Sequence, residues 1–150
     1  MNLSGLTAKY LQSERAFITF LLKSGDTALL PKNASAVEHL WVVLTDGDAN
    51  NKAIAVNITT QQAHSETTVV LDKGDHSFVK HPSVAFYTDT RELDLQQIDA
   101  LLARNPQDLV CQQHKSCSPQ LLEKLRDGLL SSPNVSEKIK RRCAAEWRTP

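Results

Sequence analysis

With 150 residues and a mass of 16.7 kDa, the chain has the length of one domain, enough for one sizeable core and hardly for two. Its 41% hydrophobic and 23% charged residues argue against disorder, a collagen-like repeat and a disulfide scaffold. Seventeen basic and seventeen acidic residues cancel, so the overall charge announces neither a nucleic-acid binder nor a membrane-surface protein.

Taken in chain order, residues 7–23 place Tyr10, Phe17, Phe20 and Leu21 near one helical face, with Thr7 as a cap, which predicts an N-terminal helix. Lys9, Glu14, Arg15 and Lys23 interrupt this segment. It therefore neither spans a membrane nor reads as a signal peptide, and the expectation is a cytoplasmic protein. From Gly25-Asp26 onward the pattern shortens to strand-like runs at 27–30, 39–45, 53–60, 67–71 and 83–88. Turn chemistry separates them: Asp46-Gly47-Asp48-Ala49-Asn50-Asn51, then Lys73-Gly74-Asp75, then His81-Pro82. About five short strands at close spacing predict a small barrel or a strongly bent sheet.

After residue 90 the period becomes helical. Asp94 and Gln97 stand in capping-box spacing ahead of Leu95, Ile98, Leu101 and Leu102, and the pattern stops before Asn105-Pro106. Ser118-Pro119 opens a second helix with a cap and a proline at its first position, and Leu121, Leu122, Leu125 and Leu129 form its apolar stripe. Ser136 caps a last helix in which Ile139, Cys143 and Trp147 recur every four residues. The layout is α+β: one domain over 1–150, with an N-terminal helix at 1–23, a barrel core and following helix at 24–104, and a helical extension at 105–150.

Charge is uneven along this layout: residues 1–30 carry +1, residues 31–110 carry −5 and residues 111–150 carry +4. An anionic partner would meet the C-terminal part more naturally than the acidic middle, although a solvated basic helix face explains the same numbers. The five glycines, Gly5, Gly25, Gly47, Gly74 and Gly128, are too far apart for a phosphate-cradling loop. No G-x-S-x-G or H-E-x-x-H segment is present. Cys111, His114 and Cys117 offer three soft ligands in seven residues, but their spacing departs from the paired C-x₂-C pattern of structural zinc sites. The expectation there is a polar loop joining two helices, with no metal, and Cys143 is expected as a small buried hydrophobe. A zinc-stabilised regulatory protein is the minor alternative.

The polar cluster with the most chemistry is Asn57-Ile58-Thr59-Thr60 together with the run from Asp72 to His81. Cleaving RNA without a metal needs a base for the 2′-hydroxyl proton, an acid for the departing 5′-oxygen, and a donor or cation for the phosphate. His76 or His81 suits the proton transfers, Lys73 or Lys80 the phosphate, and Thr59 or Thr60 the donation of a hydrogen bond. Lys73, Asp75, Lys80 and His81 are the expected substrate-binding residues. The structural reading of the same residues is a hairpin shaped by its turn Asp and Gly, with threonines on a half-exposed strand.

Gly25-Asp26, the run His39-Leu40-Trp41-Val42-Val43-Leu44, the run Val56-Asn57-Ile58-Thr59-Thr60-Gln61, and Ser83-Val84 with Arg91 before a helix follow one another as in the MazF/PemK toxins of bacterial toxin–antitoxin pairs. Over about residues 24–104 the chain resembles that family. The resemblance implies an SH3-like barrel that forms a homodimer, cuts single-stranded RNA without metal or cofactor, and is silenced by a cognate antitoxin protein. Thr59 or Thr60 matches the threonine of the family's Thr-Thr strand end. The family's Arg-Pro pair before the apolar strand is replaced here by Glu38-His39-Leu40, which makes His39 a candidate for proton transfer. The catalytic candidates are therefore Thr59, Thr60, His39 and His76. The alternative is a non-catalytic SH3-like module in which Trp41, Phe86 and Tyr87 form core or contact surface and the terminal helices bind another protein.

Overall fold

A computed structural model of the chain describes residues 22–31, 38–104 and 112–148. The expected N-terminal helix at 7–23 lies almost wholly outside the described residues. The strands are β1 (Thr27–Pro31), β2 (Glu38–Val43), β3 (Lys52–Thr60), β4 (Val70–Leu71), β5 (Ser83–Asp94) and β6 (Gln112–His114). Three helices, α1 (Leu95–Arg104), α2 (Pro119–Ser131) and α3 (Glu137–Arg148), follow β5 in the chain. The architecture is α+β.

All six strands join one sheet in the order β4-β5-β3-β2-β1-β6, and every pairing is antiparallel. Three segments depart from the expected elements. The segment expected as a strand at 67–71 keeps only Val70–Leu71 in register with β5, with the Val69 carbonyl accepting from the Ala85 amide at 3.2 Å just ahead of it. The strand expected at 83–88 runs on to Asp94. The loop expected between Cys111 and Cys117 contains β6, which adds to the free edge of β1; its three polar residues carry no periodicity from which a strand could be inferred.

Both faces of the sheet are covered, which explains why β2 and β3 read as near-continuous apolar runs. On one face Leu40, Val42, Ile54, Val56, Ile58, Ala85 and Tyr87 pack against Leu121, Leu125 and Leu129 of α2 and Cys143 of α3. On the other, Ala28, Leu30, Trp41, Val43, Ala53 and Ala55 pack with Leu22 and with Leu95 and Ile98 of α1. Side chains alternate across a strand, so each face takes every second residue.

The helix starts obey local chemistry. Ser118 accepts a hydrogen bond from the Leu121 amide at 3.1 Å, with Pro119 at the first helical position, where a missing N–H costs nothing. Asp94 Oδ1 accepts from the amides of Gln96 and Gln97 at 3.0 and 3.2 Å, and Ser136 Oγ accepts from the Ile139 amide at 3.3 Å. Gly128 lies where α2 crosses β5: a Cβ there would run into Tyr87 Oη and Val69 Cγ2. The same close approach lets the Tyr87 hydroxyl donate to the Leu125 carbonyl at 2.7 Å.

Candidate functional site

The β3 register sets the site. Trp41 of β2 stands opposite Asn57 of β3, and Asn57 stands opposite Phe86 of β5. Continuing the β2–β3 register by one residue from the Leu40–Ile58 pair places His39 across from Thr59. Residues two apart in a strand share a face, so His39, Trp41, Asn57, Thr59 and Phe86 all lie on the face that α1 covers only in part. Phe86, Thr59 and His39 are half-buried there.

A break in the ladder brings two charged residues to this row. Between Asn57↔Phe86 and Ala55↔Arg91, β5 advances five residues while β3 advances two. The extra β5 residues form a bulge, pinned by the Thr90 hydroxyl donating to the Tyr87 carbonyl at 2.6 Å. Bulges re-aim side chains and concentrate at functional sites. Here the bulge delivers Asp89, whose Oδ2 accepts from Asn57 Nδ2 at 2.8 Å and whose Oδ1 accepts from Arg91 Nε at 2.8 Å. Asn57 Oδ1 in turn accepts from Thr59 Oγ1 at 2.8 Å. The Arg91 guanidinium lies over the Trp41 ring, 5.4 Å from its centroid, and Trp41 Nε1 is buried with no hydrogen-bond partner among the described residues. A continuous relay thus runs from Trp41 through Arg91, Asp89 and Asn57 to Thr59. Its charged end is accessible: the Arg91 side chain is 43% exposed and that of Asp89 only 13%.

The remaining sequence candidates fall elsewhere. Thr60 pairs with Ser83 at the end of β3 and is exposed; strand alternation points it to the face opposite Thr59. His76 is buried among the residues of the turn after β4. Its Nδ1 accepts from the Phe78 amide at 3.0 Å, and its Nε2 meets the Lys115 carbonyl in a short contact. An imidazole accepting at one nitrogen and donating at the other is the neutral Nε2–H tautomer with both positions used. His76 lines a cavity of about 510 Å³ with Asp75, Lys115, Ser116, Cys117 and Lys124, and neither Thr59 nor His39 lines it. Asp75 turns its carboxylate inward on its own loop, accepting from the Asp72 amide at 2.7 Å. Lys73, Lys80 and His81 are exposed in that loop. The expected cluster is therefore two places: His39 with Thr59 on the sheet face, and His76 with Asp75 in the turn cavity.

Of the metal candidates, Cys111 and the His114 side chain lie outside what is described. Cys117 is half-buried, and burial together with the nearby Asp26 carboxylate pushes its thiol up to about 11. Among the described residues no group of three or more His, Cys, Asp or Glu side chains is placed to hold a metal ion. Cys143 is buried in the core between the sheet and α2, as its helical spacing predicts. No helix among the described residues is long and apolar enough to cross a membrane.

Sequence reasoning names Asn57 in the polar cluster without a role, passes over Asp89 and uses Arg91 only as a landmark. The sequence pattern gives no signal for Asp89, which lies inside the bulge, where two-residue alternation does not hold. A comparison with protein-family models finds no match, and a search of curated proteins finds no relative.

Proposed function

We propose that the chain is a metal-independent endoribonuclease acting on single-stranded RNA, of the kind its resemblance to the MazF/PemK toxins implies. The observation that carries this reading is the row on one sheet face that holds an imidazole, a hydroxyl and an accessible guanidinium: His39, Thr59 and Arg91. In the proposed reaction the 2′-oxygen attacks the adjacent phosphorus and the bond to the 5′-oxygen breaks, leaving a 2′,3′-cyclic phosphate. His39 takes the 2′-hydroxyl proton and returns it to the departing 5′-oxygen, acting as base and then as acid. Arg91 supplies the cation that the family's pattern places before the apolar strand, and offsets the charge that builds on the phosphate oxygens. Thr59 positions the nucleotide. In this reading the protein is an SH3-like, homodimeric cytoplasmic toxin, and a cognate antitoxin covers the row.

A second reading, a non-catalytic SH3-like interaction module, has one observation in its favour: Arg91 is already paired with Asp89 and stacked over Trp41, an arrangement that also serves as a structural brace. Inducible expression in bacteria separates the two. Growth arrest with fragmented RNA for the wild type, and healthy growth for folded His39→Gln and Arg91→Gln variants, supports the nuclease. Healthy growth and intact RNA with abundant folded wild-type protein overturns it in favour of the module.

A further inference from the structure

The relay has a direction, and the direction constrains what Thr59 can recognise. A carboxylate only accepts hydrogen bonds. Asp89 accepts one hydrogen bond from Arg91 Nε and one from Asn57 Nδ2, both at 2.8 Å. The Asn57 amide is therefore held with its NH₂ group toward Asp89 and its oxygen toward Thr59, since a flipped amide would set oxygen against oxygen. Asn57 Oδ1 can only accept, so the single hydroxyl proton of Thr59 is the one shared between them at 2.8 Å. With its proton committed, Thr59 Oγ1 has only lone pairs left for a ligand.

We propose that Thr59 is a specificity-determining residue that accepts a hydrogen bond from a neutral donor on a bound nucleotide, a ribose hydroxyl or an exocyclic base amine, and that it does not contact the phosphate. Asn57 and Asp89 are positioning residues that set this polarity. The inference rests on the nuclease reading for its ligand class and goes beyond it in assigning the group that Thr59 reads. A phosphodiester oxygen carries no proton at neutral pH and meets Thr59 lone pair to lone pair. The 2′-hydroxyl that reacts must release its proton to His39, so a hydroxyl held by Thr59 belongs to a flanking nucleotide.

The test is binding, read by fluorescence anisotropy, with oligonucleotides in which a 2′-O-methyl group blocks the cleaved position, first located from the fragments that the wild type produces. One arm replaces flanking 2′-hydroxyls by 2′-fluorine, which accepts but does not donate. The other replaces adenine by purine and cytosine by a base lacking the exocyclic amine. Wild-type protein loses affinity by about tenfold at one such position, the worth of one neutral hydrogen bond. The preference persists in Thr59→Ser and disappears in Thr59→Val. In Asp89→Asn, whose amide no longer dictates the orientation of Asn57, the preference shrinks while the protein stays folded. An independent readout is the Thr59 hydroxyl proton, seen by NMR in slow exchange in the wild type and lost in Asp89→Asn.

Oligonucleotide binding with no Thr59-dependent loss in either arm overturns the inference and leaves the nuclease reading standing. So does a preference that survives Thr59→Val. A wild type that binds no oligonucleotide overturns the nuclease reading, and this inference with it.

Discussion

The His76 imidazole bonds to the Lys115 carbonyl, and through that one ring the turn following β4 is tied to the segment following β6. Those two strands are the opposite edges of the sheet, so the bond joins the ends of a curled surface. Its other nitrogen fixes the Phe78 amide. His76→Ala strands both backbone groups, each in a partly buried setting, and the expected loss is about 2–6 kcal/mol at roughly 1–3 kcal/mol per unsatisfied group. Thermal unfolding followed by circular dichroism checks this. A variant as stable as the wild type would show that the ring is no brace and would return it to the catalytic candidates.

Gly128→Ala puts a methyl group into space already held by Tyr87 and Val69. Neither is a free surface side chain: Tyr87 is fully buried and Val69 is 2% exposed. Overpacking of this kind costs about 1–3 kcal/mol. Removing the tyrosine hydroxyl as well, in Gly128→Ala/Tyr87→Phe, restores only part of the loss, because Val69 remains in place. Urea midpoints of the two variants against wild type give the comparison.

Burial pushes the thiols of Cys117 and Cys143 from 9.0 to about 11. In the unfolded chain they ionise first, so the unfolded state sheds protons at a pH where the folded state still holds them. Stability is therefore unaffected by these groups below about pH 8, falls as pH rises from 9 toward 11, and levels off above that. In a Cys111→Ser background, thiolate absorbance titrates near 11 in the native protein and near 9 in urea. Coincident titrations would remove the effect.

Glu66 binds the loop before β4 to the turn between α2 and α3: its Oε2 accepts from Ser132 Oγ at 2.6 Å and its Oε1 from Asn134 Nδ2 at 2.9 Å. Although burial opposes ionisation, these partners and Thr68 hold its carboxyl below the ordinary value. The sign is the usual one for a depressed acid: the stabilisation is complete above the unfolded value of 4.5 and is lost as pH falls through the lower folded value. Glu66→Gln keeps one acceptor oxygen and is expected to reduce the loss of stability as pH falls below 4.5, measured by chemical denaturation at each pH.

Much of the fold is legible in the chain itself. Ser118-Pro119 and Asp94 begin their helices as their chemistry requires, and the apolar runs of β2 and β3 mark the core. These are local matters, decided by a residue and its neighbours within about four positions. The relay is not legible in the same way, because Asn57, Asp89 and Arg91 meet only through a bulge whose size depends on how β3 and β5 come into register, with Asn57 and Asp89 32 residues apart. Nor is the fate of His76. A histidine after a glycine turn looks equally fit for proton transfer or for bracing, and what separates the two is whether Lys115 offers a carbonyl from 39 residues away.

The sequence by itself thus determined that this is an α+β fold, where the three described helices begin, which strands carry the core, and that His39 and Thr59 are candidates for chemistry. The tertiary structure alone decided that those two share a face, that Thr60 and His76 do not join them, and that Asp89 and Arg91 do. The reason is physical: periodicity and capping are short-range preferences carried by the chain itself, whereas register, a bulge and the curl of a sheet are set by contacts between distant segments, and those contacts exist only once the core has packed.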